Sequence, residues 1–196
     1  MPKDNTARET KILLRSGMLP ENPRVLDLFC GNGVMYRALY EVCSEKYFGI
    51  DNTKIFNPNI CALANNKEWL LNHDIDEYNV FDIDAYSSPG EYYGLILTRL
   101  AIMNKPLVFF ATDGAFLSLK INTTLPHIYH SSERIKSDFH IPGLFNFYED
   151  IHSTYIKNLE LRFPVKVDEI KIAYNDTKTT AYWGFRLLPK QLEKIK

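Results

Sequence analysis

Residues 24–33, RVLDLFCGNG, constrain the fold of this chain more than any other stretch. Val25, Leu26, Leu28 and Phe29 make a short apolar run broken only by Asp27, and Gly31 and Gly33 follow as a tight turn. The spacing then turns helical, with Val34, Ala38 and Val42 on one stripe and Met35, Leu39 and Cys43 on the stripe beside it. A second buried strand at 47–50 stops at Asp51. Strand, glycine turn, helix and strand read as a β-α-β unit with a parallel pair and a right-handed crossover. In an open α/β sheet such a glycine pair lets backbone approach a small ligand at the topological switch point.

The remaining pattern extends that unit. Asn57-Pro58 and Asn65-Asn66 bracket an apolar piece at 60–63, an edge strand with almost no helix before it. A helix at 67–73, a strand at 78–83, a Ser88-Pro89-Gly90 turn, a helix at 92–103 and a strand at 107–111 come next. Residues 114–141 lose their period and read as a possible lid. Pro142 opens a helix with Leu144, Tyr148, Ile151, Tyr155 and Leu159 on one stripe, and β-rich 165–174 and 179–187 flank a polar turn as an antiparallel hairpin. The expectation is one α/β domain over residues 1–196: three layers around a mostly parallel sheet closed by a C-terminal antiparallel hairpin. A chain of 196 residues, 45% hydrophobic, fits one such core.

Charge and cysteine usage limit the partners. Lysine plus arginine (23) nearly balance aspartate plus glutamate (24), so any nucleic-acid contact is local rather than driven by a global field. Cys30, Cys43 and Cys61 lack CxxC spacing and suit a reduced, cytoplasmic chain. The opening MPKDNTARET is too polar for a secretory signal, and no apolar run nears the ~20 residues that span a bilayer, so no membrane role is expected.

The neighbours of the glycine turn indicate which ligand it serves. A dinucleotide places its pyrophosphate over the helix N-terminus, where Asp27 would repel it, and Tyr36 stands where a third, packing glycine is needed. S-adenosylmethionine instead brings an ammonium and a sulfonium, both positive, which Asp27 attracts. Asp27, Phe29, Gly31 and Gly33 are therefore the candidate cofactor loop. Asp51, 20 residues beyond Gly31, is placed to accept the hydroxyls of a ribose, unless it only caps a turn. Asn65 or Asn66 would bond an adenine edge, or else they serve as turn residues.

On these residues the chain resembles the Rossmann-like, class I S-adenosylmethionine-dependent methyltransferases: VLDLFCGNG is similar to their motif I and FGID to the acidic end of motif II. DLFCGNG also looks like RNA uridine-C5 methyltransferases, but that chemistry needs a late nucleophilic cysteine and none follows Cys61. FDIDAYSSP and FFATDGAFL together resemble the tRNA guanine-N2 dimethyltransferase family. That resemblance implies Asp84 at the acceptor amine, Tyr86 stacking on the base, and Ala111, Thr112 and Asp113 as the far wall. Ala85 and Ser87 depart from it, standing where the family has proline and glycine.

Amine methylation needs little acid–base help, so a carboxylate that orients the N–H and an aromatic face supply most of what is required. Asp82 and Asp84 also admit a plainer reading as strand-end turn caps. His127, His130 and His140, with Lys120, Arg134 and Lys136, form either a local phosphate-facing surface or an ordinary solvated lid. The HxxH spacing lacks supporting ligands, and no metal is expected. The leading expectation is a methyltransferase acting on an exocyclic amine of a nucleic-acid base, with RNA favoured over DNA. The alternatives are a small-molecule or protein acceptor, or a non-catalytic cofactor-binding module.

Overall fold

The structure is a computed structural model, and it describes residues 5–85, 88–100, 103–114, 141–177 and 180–190. Helix α1 (Asn5–Ser16) precedes strand β1 (Arg24–Asp27). Helix α2 covers 34–43, with a π-helical centre at Tyr36–Tyr40. Then come β2 (Lys46–Asp51), β3 (Cys61–Leu63), α3 (Asn66–Asn72), β4 (Val80–Ile83), α4 (Gly90–Arg99) and β5 (Leu107–Asp113). The last elements are α5 (Ile141–Arg162), β6 (Val165–Tyr174) and β7 (Ala181–Pro189). Most of the expected lid at 114–141, and the histidines in it, lie outside the described residues.

These strands form one 7-stranded sheet in the order β3-β2-β1-β4-β5-β7-β6. The first five run parallel, β7 is antiparallel to β5, and β6 pairs antiparallel with β7. The expected hairpin therefore inserts its second strand beside the last parallel one. The direction of winding reverses between β1 and β4, which opens a crevice at their carboxyl ends.

Alternation along the strands builds two cores. Val25, Val80, Val108 and Phe110 face one side with Leu14, Met18, Met35, Leu39 and Tyr40 of the α1 and α2 region. Leu26, Phe81, Phe109 and Ala111 face the other, under Leu70, Tyr93, Ile96, Tyr148, Ile156 and Leu159 from α3, α4 and α5. Strands buried on both faces read as continuous apolar runs, which is why β1, β4 and β5 were legible.

Three local details differ from the expectation. In α2 the buried stripe is Met35 and Leu39, with Tyr40 beside it, whereas Val34 and Val42 are 46% and 85% exposed. The π segment adds a residue to the turn and so brings Tyr40 round to the sheet. Helix α4 spans 90–99 rather than 92–103, and it starts directly after Pro89. The third difference is α1, which was not expected at all: its inward face includes Arg15, fully buried, beside Leu14.

Gly33 holds φ +68, and a Cβ there would lie 2.5 Å from the Phe56 ring. Gly94, inside α4, has open space at that position. Gly33→Ala is expected to cost about 1–3 kcal/mol from the left-handed backbone and overpacking. Gly94→Ala should add roughly 0.5–1 kcal/mol from helix propensity alone. Urea unfolding of both variants checks the opposite signs.

Candidate active site

The crevice between β1 and β4 opens into a cleft of about 810 Å³, lined among others by Phe29, Gly31, Asp51, Asp84, Thr112 and Tyr182. A smaller pocket of about 220 Å³ adjoins it and is lined by Asp27, Cys30, Asn32 and Asp82. Phe29, Gly31, Lys54 and Asp84 border both. The structure thus brings together Asp27, Phe29, Gly31, Asp51 and Asp84, five of the residues singled out in the sequence.

The glycine turn is held from two sides. Cys30 N–H donates to the Ile50 carbonyl at 3.1 Å, which ties the loop to β2. Gly31 N–H donates to Asp51 Oδ2 at 3.1 Å. The other oxygen, Asp51 Oδ1, accepts from the Thr53 amide and hydroxyl at 2.8 and 2.7 Å and from the Lys54 amide at 3.1 Å. Burial alone would raise the pKa of this carboxyl, but the hydrogen bonds from Thr53, Lys54 and Gly31 outweigh it and hold Asp51 below the usual carboxylate range. Asp51 is an ionised acceptor on the cleft wall.

Asp27 is the contrasting case. It is 3% exposed and accepts from Tyr47 Oη at 2.8 Å and from the Phe29 amide at 3.1 Å. Burial and the nearby Asp82 charge prevail over those two bonds, and its carboxyl is pushed up to about 8. Asp27 is therefore largely protonated at neutral pH.

Two cations from α1 meet the end of β4. Arg15 Nε and Nη2 donate to Asp82 Oδ2 and Oδ1 at 2.7 and 2.6 Å, and Tyr40 Oη adds a third bond to Oδ2 at 2.6 Å. The Arg15 and Asp82 side chains are 0% and 1% exposed. Lys11 Nζ donates to both oxygens of Asp84 at 2.7 and 2.8 Å and lies 5.2 Å from the centre of the Tyr182 ring. Burial would raise the Asp84 carboxyl, yet Lys11 and Arg15 hold it below its ordinary value.

The other sequence candidates fall as follows. Gly33 is buried behind the turn, packed on Phe56, and borders neither pocket. Asn65 is exposed and its Oδ1 accepts from the Lys67 and Glu68 amides, so it caps α3 as a turn residue would. Asn66 is 4% exposed, and its Oδ1 has no hydrogen-bond partner among the described residues. Tyr86 lies outside the described residues. Of the expected far wall only Thr112 borders the cleft. Strand alternation turns Asp113 to the opposite face, where it pairs with His152 Nδ1 at 2.9 Å and accepts from Tyr148 Oη, anchoring α5. Lys11, Arg15 and Tyr182 were missed: no helix was expected at 5–16, and Tyr182 reads as an ordinary strand residue.

No protein-family model matches the sequence, and no curated protein matches it significantly. Solved structures do. Methanocaldococcus jannaschii Trm5 in complex with adenosine superposes with a TM-score of 0.53 at 12% identity, covering 97% of this chain and 51% of that one. The fold is that of the Rossmann-like methyltransferases. A Burkholderia thailandensis 1,6-didemethyltoxoflavin-N1-methyltransferase, solved with S-adenosylhomocysteine, shares it at 0.52 and 11% identity over 96% of this chain and 80% of that one. A hemolysin candidate from Streptococcus thermophilus shares it at 0.59 and 10% identity, over 94% and 66%. The chain spans about half the length of the Trm5 structure. Within this methyltransferase fold the described residues include no helix long and apolar enough to cross a membrane.

Arg15→Leu would leave Asp82 buried without its counter-charge and is expected to cost about 3–5 kcal/mol. The triple variant Arg15→Leu, Asp82→Leu, Tyr40→Phe should recover most of that loss, because an apolar replacement of the whole cluster leaves no charge behind. Denaturant midpoints of the two variants test this, and a triple variant as unstable as the single one would contradict it.

Proposed function

We propose that this chain is a cytoplasmic S-adenosylmethionine-dependent methyltransferase that acts on an exocyclic amine of a nucleic-acid base, with RNA the favoured acceptor. The observation that carries this reading is one cleft bordered by the glycine turn, Asp51 and Asp84. The cofactor supplies an electrophilic methyl group on a positive sulfur. The residues present suit it: Asp51 offers an ionised acceptor to ribose hydroxyls and Asp27 gains a positive partner, whereas Asn65 caps α3 and Asn66 is buried and borders neither pocket.

On the acceptor side, Asp84 accepts an N–H and so keeps the nitrogen lone pair directed at the methyl, while Tyr86 stacks on the base. An acceptor nitrogen held in this way would take the methyl group when the cofactor is bound and would lose its extra proton afterwards, with Asp84 as the carboxylate that orients it. Support for RNA comes from the two strings that resemble those of the guanine-N2 dimethyltransferases. A small-molecule acceptor is the second reading, favoured by the net charge of −1 and by the likeness to the toxoflavin enzyme.

Cofactor binding should be pH-dependent with a definite sign. Asp27 is raised to about 8 in the free site, and a bound cation lowers it again, so binding releases a proton and tightens as pH rises towards 8. Calorimetric titration with S-adenosylmethionine in buffers of different ionisation heat measures this release, and Asp27→Asn should abolish the Asp27 contribution. No binding to the intact protein would remove the transferase reading. Transfer of labelled methyl to tRNA, other RNA and DNA then identifies the acceptor, with Asp84→Ala expected to lower the rate about a hundredfold at unchanged cofactor affinity. A steep fall in acceptor binding with added salt would support nucleic acid over a neutral small molecule.

A further inference from the structure

The sequence reading placed Asp84 at the acceptor end of the cleft but gave it no partner. In the structure it has one, and that partner is held firmly. Lys11 Nζ bridges both Asp84 oxygens at 2.7 and 2.8 Å, with the two side chains only 17% and 27% exposed. The Tyr182 ring lies against the same ammonium, 5.2 Å away. One helical turn on, Arg15 is clamped in Asp82, and Leu14 and Met18 are buried in the core. Lys11 is therefore positioned by its helix and is not a surface lysine free to wander. Lys11, Asp84, Thr112 and Tyr182 border the same cleft.

Building on the acceptor reading of Asp84, we infer that Lys11 is a specificity residue: it neutralises the acceptor end, so that the site takes a neutral heteroaromatic amine and rejects an alkylammonium. A bare, half-buried carboxylate would recruit a cation. Alkylamines such as a lysine side chain or a polyamine are protonated at neutral pH, with a pKa near ~10.4, and in that form have no lone pair to attack a methyl group. They would occupy the site and block it. With Lys11 in place the counter-charge is already supplied.

A carboxylate has about four acceptor positions; Lys11 uses two and the nearby Thr112 hydroxyl can take a third, which still leaves room for one N–H of a neutral base. The surrounding charges keep the same balance. Asp82 is matched by Arg15, Asp27 is held largely protonated until the cofactor arrives, and Lys54 borders the cleft on the cofactor side. The acceptor end thus selects by hydrogen bonding and stacking, not by net charge.

The test reads Asp84 directly and needs no RNA. Full-length protein labelled with 13C at the aspartate carboxyls and saturated with S-adenosylhomocysteine is followed by NMR, the Asp84 signal being assigned from its absence in Asp84→Asn. The probe is n-butylammonium chloride, with sodium chloride at equal ionic strength as control. The wild-type and Lys11→Arg signals should not respond to the probe beyond the salt control. Lys11→Gln should bind it saturably, about tenfold or more tighter, and its Asp84 should titrate at higher pH.

Saturable binding by the wild type, or a Lys11→Gln protein that neither binds the probe nor shifts its titration, would overturn the inference. If Lys11→Gln does not fold, the wild-type arm with butylammonium against guanosine still decides, since only guanosine should move the signal. Failure of the acceptor reading is separate: methyl transfer to RNA undiminished in Asp84→Ala would remove that reading and leave the charge measurement standing.

Discussion

The buried pairing of Arg15 with Asp82 ties the N-terminal helix to the floor of the cleft, and the rest of the site is arranged around it. Two side chains that ionise in water are here almost wholly removed from it, at 0% and 1% exposure. Such a pair is tolerated only when its remaining hydrogen bonds are made, and Tyr40 from α2 completes the set on Asp82. α1, α2 and β4 are thereby fixed relative to one another at one point. The spacing carries the constraint outward. Four residues of helix rise about 6 Å, and two residues of strand advance about 6.6 Å. With Arg15 on Asp82, Lys11 is delivered to Asp84.

The aspartates around the crevice share a side chain but not a state, and the difference lies in how many donors reach each one. Asp51 is surrounded by backbone amides and the Thr53 hydroxyl and stays ionised although largely buried. Asp27 accepts from Tyr47 and the Phe29 amide but lies near Asp82, and its carboxyl rises to about 8. One is a standing ionised hydrogen-bond acceptor, and the other is held largely protonated near neutral pH.

The fold by itself does not select an acceptor. Structures with this architecture include a tRNA m1G37 methyltransferase, a toxoflavin-precursor methyltransferase and a hemolysin candidate, all at 13% identity or less to this chain. In this chain α1 and β7 supply side chains to the crevice. Lys11 and Tyr182 belong to those elements, far apart in the chain and adjacent in space. Function therefore has to be argued from these side chains, with the sheet as their support.

Much of the frame was legible in order along the chain. The apolar runs of β1, β4 and β5, the glycine turn, the short edge strand after Asn57-Pro58 and the final hairpin all depend on local periodicity and turn chemistry, which neighbouring residues alone decide. Asp27, Gly31 and Asp51 were singled out because strand ends and a glycine turn are positions that sequence defines, and Asp84 through the resemblance carried by FDIDAYSSP. Helix α1 was not found, because its inward face carries Arg15, and a buried cation has no signature until its carboxylate partner is known. Nor could the sequence tell that Thr112 faces the cleft while Asp113 faces His152, or which of Asn65 and Asn66 is the cap. The sequence by itself determined the strands, the turn and the carboxylates at their ends. Only the tertiary structure decided their charge states and partners, because burial and ion pairing depend on which distant side chains the folded sheet brings within a few ångströms.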